Sequence, residues 1–268
     1  MFRGKKEMKL ISQSQIRDFQ TCPQKYYLSH ILKLSWPAPP SPLFKKLEEE
    51  AALGETFHLF VHRIIQGLNP EESAFETENK TIAKWIDNFL RNYPLPQDAV
   101  LYSERELTNL DEDILWIGKF DVIATLQNKI LIFDWKTSQK AGKVLWLEES
   151  PQTRLYRFLL YQNRQLYSYD GTDHMKPEQI EMIYWFVNFP NSPIHIGYSE
   201  KQFAADRQFL KEIAAKINSD KAENYPKTSI EKVCNYCQFQ TYCKRGFPDQ
   251  SDSEYEPDWN NLPLTEEL

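Results

Sequence analysis

Gly118-Lys119-Phe120-Asp121-Val122-Ile123-Ala124, followed after a break at Gln127-Asn128 by Ile130-Leu131-Ile132-Phe133-Asp134-Trp135-Lys136-Thr137, decides how the chain folds. Both segments are rich in β-branched and aromatic residues, and so is Val100–Thr108 before them. Three strands are expected, at 100–108, 114–126 and 130–136, with turns at Asn109–Asp113 and Gln127-Asn128. Asp134 ends an apolar run, where an unpartnered charge is costly to desolvate. Asp134 and Lys136 are two apart on a strand and share a face.

The turn between the last two strands sets where Asp121 falls. A two-residue loop at Gln127-Asn128 puts Asp121 opposite Asp134. A loop at Asn128-Lys129 puts it opposite Lys136, and a three-residue loop opposite Trp135. The first two registers group Asp121, Asp134 and Lys136 on one face. Opposed carboxylates repel unless a cation lies between them, and hard oxygen ligands suit Mg²⁺ or Mn²⁺. Such a cation activates water and polarises a phosphoryl oxygen, while Lys136 stabilises developing charge. The plainer reading is a strand-end Asp–Lys ion pair with an unrelated Asp nearby, and D-x-K alone is weak evidence.

The flanking segments add to it. Gly54-Glu55-Thr56-Phe57-His58 falls on a helix expected over about 44–67. A second helix fits 77–92, with Ile82, Trp85, Ile86 and Phe89 on one face. Ser150-Pro151 opens a helix that carries Gln152 and Tyr156 at i, i+4. Ser12 caps a first helix, and a Pro-rich loop follows at 35–42. Strands are expected at 180–189 and 194–198. Ser199, with Gln202 three residues on, caps a last helix to about Ile217.

This order of motifs resembles the RecB-like branch of the PD-(D/E)XK nucleases: a G-x-x-x-H helix, a G-x-x-D strand, a (D/E)-x-K strand and a Q-x-x-x-Y helix. Ser12-x-Ser14 and Cys22-Pro23-x-x-Tyr26-Tyr27-Leu28 look like the opening segment of that branch. The likeness spans roughly residues 10–245. It implies an α/β restriction-endonuclease-like core, a mixed sheet flanked by helices. It makes His58, Asp121, Asp134 and the main-chain carbonyl of Trp135 metal ligands, and Lys136 the catalytic lysine. Gln152 and Tyr156 would support the site and contact DNA. Phe120 stands where the pattern has Pro, a residue the chemistry does not need. His62 competes with His58 on the same helix face, but His58 has the matching spacing from Gly54.

The four cysteines are Cys22, Cys234, Cys237 and Cys243. No apolar run follows the basic start, so a signal peptide and a membrane span are not expected, and a cytoplasmic setting disfavours disulfides. Four thiolates suit zinc or a [4Fe–4S] cluster. The arrangement resembles the iron–sulfur staple of AddB-type nucleases and CRISPR-associated RecB-like exonucleases. That resemblance implies [4Fe–4S] rather than zinc, latching the helical N-terminal part to the C-terminus.

The 268 residues carry a net charge of −6, which alone argues against a nucleic-acid partner. Residues 247–268 hold seven acids and no Lys or Arg, and the rest has 32 basic and 31 acidic residues. A near-neutral body can hold a basic groove. One nuclease unit is expected over 1–246: a helical part at about 12–92, a catalytic core at about 100–217 and a cluster segment at 234–243. The acidic tail, 247–268, reads as solvated chain, a contact for a protein partner or a shield over a DNA groove. No P-loop is present, so an NTP motor is not expected. The resemblance implies an exonuclease acting on DNA with single-stranded or free ends, in repair, recombination or CRISPR adaptation. Two other readings stay open. One is a non-catalytic DNA-binding or scaffold protein of the same fold. The other is a zinc-stapled partner-recognition protein.

Overall fold

The computed structural model describes residues 8–36, 42–69, 79–217 and 222–245. The acidic tail, residues 37–41 of the Pro-rich loop and positions 77–78 of the expected second helix lie outside them. In chain order the elements are β1 (Lys9–Ser12), α1 (Gln13–Thr21), α2 (Pro23–Tyr26, continued by a π-helical turn at Tyr27–Ile31), α3 (Pro42–Ile65) and α4 (Lys80–Asn92). There follow β2 (Val100–Asp111), β3 (Ile114–Thr125), β4 (Ile130–Lys136), α5 (Val144–Glu148) and α6 (Pro151–Gln162). The chain continues with β5 (Ile180–Phe186), β6 (Ile194–Gly197) and α7 (Glu200–Ile217), and a 3₁₀ turn at Glu231–Tyr236 carries Cys234.

Local chemistry sets most boundaries. Asn79 caps α4 by accepting the amide hydrogens of Thr81 and Ile82. Ser150 accepts the amide of Thr153 at the start of α6. The main-chain N–H of Ser12 donates to Gln15 Oε1 at 2.7 Å, fixing the entry to α1. Gly67, at φ +88, follows α3 where an L side chain would be strained. The strand expected to reach residue 189 stops at Phe186, where a turn begins with Phe189 N–H bonded to Phe186 O.

The six strands form one mixed sheet. β4 pairs antiparallel with β3 and parallel with β5, and β6 closes the far edge antiparallel to β5. All seven residues of β4 are buried, because helices cover both faces. Ile130, Ile132, Met182 and Tyr184 pack with residues of α1, α6 and α7. Leu131, Phe133, Trp135 and Trp185 pack on the other face with Phe57, Phe60 and Val61 of α3 and Trp85 and Phe89 of α4. This is the expected mixed sheet flanked by helices.

β1 has no counterpart in the sequence reading. It pairs parallel with Ile114–Ile117 of β3, and β4 pairs with Val122–Thr125 of the same strand. The two partners leave a fork along β3 between Ile117 and Val122. The β3–β4 register is that of the Gln127-Asn128 loop, with Thr125 opposite Ile130 and Val122 opposite Phe133. The ladder stops there, one step before Asp121 and Asp134.

Candidate metal and catalytic site

The strands around the fork reverse their alternation. Trp116 and Phe120 pack into the α6 layer, whereas Val122 and Ala124 pack into the α3 layer. The reversal falls at Asp121. The matching break in β2 is at Glu104, which takes φ +54 and is skipped in a ladder that pairs Ser103 with Val122 and Arg105 with Phe120. A left-handed backbone costs a non-glycine residue roughly 1–2 kcal/mol, and such strain collects at functional sites. Asp121 and Asp134 fall one step past the ladder: Asp121 meets His58 of α3, Asp134 meets Gln152 of α6, and the two carboxylates still act on each other's charge.

On the α3 side, His58 Nδ1 lies 3.2 Å from Asp121 Oδ1. Asp121 Oδ2 accepts the main-chain N–H of Trp135 at 2.8 Å, taking a donor exposed where β4 leaves β3. Ligand atoms of His58, Glu104 and Asp121 all lie within 4.8 Å of one another. Glu104 also contacts Lys119 Nζ at 2.5 Å. His62 is engaged elsewhere, with Nδ1 2.8 Å from Ser103 Oγ. Burial alone would push His58 down, but Asp121, helped by Asp134, outweighs it and raises His58 to about 9. Burial would raise Asp121, yet His58 and the Trp135 amide hold it below the usual carboxylate range.

On the α6 side, Gln152 bridges the D-x-K pair. Its Nε2 donates to Asp134 Oδ2 at 2.5 Å, and its Oε1 accepts from Lys136 Nζ at 2.9 Å. Lys136 Nζ lies 2.7 Å from Asp134 Oδ1, and the two form a buried ion pair. Asp134 is 4% and Lys136 8% exposed. Burial raises the pKa of Asp134; Lys136 opposes the shift and Asp121 adds to it. Lys136 Nζ also stands 5.2 Å from the centre of the Tyr184 ring, whose hydroxyl is 2.7 Å from Thr153 Oγ1.

Tyr156 donates to the carbonyl of Lys119 at 2.7 Å and stacks on Phe120, with ring centres 4.5 Å apart. It holds α6 on the strand that carries Asp121. At 4% exposure it is buried beneath the site, which does not fit the expected contact with DNA. Gly118 lets the helix approach: a Cβ there would sit 2.9 Å from Leu159 Cδ1 and 3.1 Å from Tyr156.

The donor set fits a divalent cation. The carboxylates of Asp121 and Glu104 and the imidazole of His58 converge, and the Asp134 carboxylate lies close enough to act on the charge of both Asp121 and His58. Glu104 was missed in the sequence. It could have been found by counting back from the β2–β3 turn, because Asp111 pairs with Ile114 and that register sets Glu104 opposite Asp121.

Outside this site, Cys22, Cys234, Cys237 and Cys243 line one pocket with Lys25 and Arg245. All four are free thiols. Burial, opposed by a Phe239 backbone hydrogen bond and by Lys25 and supported by the neighbouring Cys22 and Cys234, pushes Cys237 up to about 11. Gln24 N–H bonds to Pro226 O, and Tyr27 stacks on Tyr225 at 5.2 Å, so packing also joins the two ends.

Among the described residues, no helix is long and apolar enough to cross a membrane. No curated protein sequence matches this chain. Among solved structures, the protein designated SSO0001 aligns at 14% identity and a TM-score of 0.40, over 91% of this chain and 88% of its own. A candidate exonuclease from Eubacterium rectale aligns at 12% identity and 0.49, over 87% and 88%. These likenesses are too distant to say anything about function. The family match is direct: residues 10–244 match the PD-(D/E)XK nuclease superfamily, so the chain belongs to that superfamily.

Proposed function

We propose that the protein is a metal-dependent deoxyribonuclease that works on DNA ends, single-stranded ends above all. One observation carries the reading. Asp134, Lys136 and Gln152 are locked together at the same fork where His58, Glu104 and Asp121 converge. A bound Mg²⁺ or Mn²⁺ would supply Lewis-acid polarisation of the scissile phosphate. His58, Asp121, Asp134 and the Trp135 carbonyl are the ligands the RecB-like order of motifs implies, and Glu104 joins them by position. Lys136 stabilises the charge that builds on the phosphate. Gln152 orients both Lys136 and Asp134, and Tyr156 fixes the distance between α6 and β3.

The thiol pocket is the second part of the proposal. Cys22, Cys234, Cys237 and Cys243 share its lining, and with the resemblance that gathering supports a [4Fe–4S] cluster held by all four cysteines.

The test is incubation of the anaerobically purified protein with end-labelled single- and double-stranded DNA in Mg²⁺, Mn²⁺ or EDTA. Metal-dependent shortening from an end, lost in Asp134→Ala, is the expected result. A protein that binds these DNAs without cleaving them in either metal refutes the enzyme reading and leaves a binding protein.

A further inference from the structure

The segment between the catalytic lysine and Gln152 presents a surface that the mechanism above does not use. Residues 137–143 lead from β4 into α5, whose last residue but one, Leu147, is 1% exposed. The Leu147 carbonyl accepts from Thr153 Oγ1, which also meets the Tyr184 hydroxyl beneath Lys136. The C-terminal end of α5 is therefore tied into the catalytic layer. The other end is bare: Val144 is 50%, Leu145 75% and Trp146 40% exposed. Single exposed apolar residues are ordinary. Three in succession on a turn anchored to a catalytic site are not, and such patches mark binding surfaces.

The charge around the patch identifies its occupant. From Lys136 to Leu147 the charged residues are Lys136, Lys140 and Lys143, with no acid among them. Lys143 Nζ stands 4.3 Å from the centre of the Trp146 ring, so a cation and an indole are offered together. The acids that follow are already engaged: Glu148 accepts from Gln202 at 2.6 Å, and Glu149 lies 3.5 Å from Arg154. An aromatic face beside phosphate-binding cations is how proteins hold unpaired nucleotides.

We propose that Trp146, flanked by Leu145 and Lys143, is a stacking platform for an unpaired nucleobase next to the scissile phosphate. The surface then selects single-stranded DNA, with Lys140 and Lys143 on the backbone. This rests on the nuclease reading and deepens it by assigning the strand preference to named residues.

The experiment measures binding in EDTA, so that cleavage plays no part. The probes are a fluorescent single-stranded oligonucleotide carrying 2-aminopurine near its end and a blunt duplex of the same sequence. Trp146→Ala is expected to weaken single-strand binding about tenfold and to lose 2-aminopurine quenching. Duplex binding should change little, and Trp146→Phe should restore most of the effect. Trp146 is 40% exposed, so thermal melting first establishes that both variants are folded. Wild-type affinity and quenching in Trp146→Ala overturn the proposal, and so does an equal loss on both probes. If Trp146→Ala instead alters only the sedimentation coefficient, the patch joins copies of the chain and the proposal falls. A wild-type protein that cleaves DNA while Trp146→Ala binds normally refutes this inference alone. A wild-type protein that neither binds nor cleaves refutes the nuclease reading with it.

Discussion

Glu104 stands opposite Asp121 where the β2–β3 ladder is interrupted, and it holds a left-handed φ of +54 there. The pairing of a strained backbone with a convergent carboxylate yields two opposite expectations for one position. Glu104→Gly relieves the left-handed cost of roughly 1–2 kcal/mol, offset in part by the greater chain entropy of glycine. The lost ion pair to Lys119, largely exposed on the lysine side, matters little. The variant should be more stable by about 1 kcal/mol, read by thermal melting in EDTA. It should also bind Mn²⁺ more weakly by about tenfold or more, since even groups that only orient ligands are worth about 10–100-fold. Glu104→Gln should show the weaker binding without the gain. Unchanged Mn²⁺ affinity in both variants removes Glu104 from the ligand set.

Lys136→Ala and Asp134→Ala should each abolish cleavage while leaving a folded protein, because transition-state stabilisation of several kcal/mol is lost. Gln152→Ala should lower kcat less than either, since Asp134 and Lys136 keep their direct 2.7 Å contact and lose only the amide that orients both. Tyr156→Phe should cost least, losing one hydrogen bond to the Lys119 carbonyl while keeping the stack on Phe120. End-label assays under single-turnover conditions give this ranking. Full cleavage by Lys136→Ala would falsify the catalytic assignment.

His58 gives the metal-free protein a pH signature. Its folded pKa is about 9, raised above the ordinary 6.5 by Asp121 against the effect of burial. A raised folded pKa stabilises most below the unfolded pKa, and that stability is lost as pH rises through the folded one. Stability in EDTA should therefore fall between pH 6.5 and 9, and His58→Ala should flatten that decline. The same proton competes with the cation. Mn²⁺ affinity should rise across this window with release of about one proton, measured calorimetrically in buffers of different ionisation enthalpy. Affinity that is independent of pH would exclude His58 as a ligand.

The sheet and its motifs were largely legible because they rest on local signals. Apolar runs, the Gln127-Asn128 turn and the Ser150-Pro151 helix start are written in adjacent residues, and the β3–β4 register is one of the three that the sequence left open. The break in β3 was not legible. Alternation was expected to run unbroken through Asp121, and the structure reverses it where β1 and β4 share one edge of β3. β1 itself is four residues long and owes its place to β3, over 100 residues away. Glu104 was within reach of a count back from the β2–β3 turn; only the left-handed backbone it holds there is announced by no side chain.

The buried Asp206 was not anticipated either. It binds Arg154 at 2.8 Å and Arg157 at 3.3 Å, and Arg157 also donates to the Gly197 carbonyl. These contacts join α7 and β6 to α6, the helix that carries Gln152. Burial raises the pKa of Asp206, and the two guanidinium groups oppose that shift. Asp206→Ala leaves Arg157, itself 2% exposed, without its counterion. The cost should be about 3–5 kcal/mol in chemical denaturation, with activity lost as the fold loosens. A change below about 1 kcal/mol would mean that water satisfies the arginines.

The cysteines give the last test. Cys22 is more than 200 residues from the others yet lines the same pocket. A four-thiolate cluster needs every ligand, and serine oxygen is a poor replacement for soft sulfur. Cys22→Ser should therefore lose iron and visible charge-transfer absorbance as completely as Cys237→Ser. Both should melt earlier, since the bond between the chain ends is gone. The loss of stability has a floor, because Tyr26 and Tyr27 stack on Tyr225 and Gln24 bonds to Pro226 without any cluster. Removing that packing as well, with Tyr225→Ala in the Cys22→Ser background, should melt the domain further than the cluster loss alone. If Cys22→Ser keeps full iron and its melting temperature, the metal sits on the C-terminal three cysteines. Zinc with a fourth ligand from elsewhere then becomes the better assignment, and aromatic packing alone joins the ends.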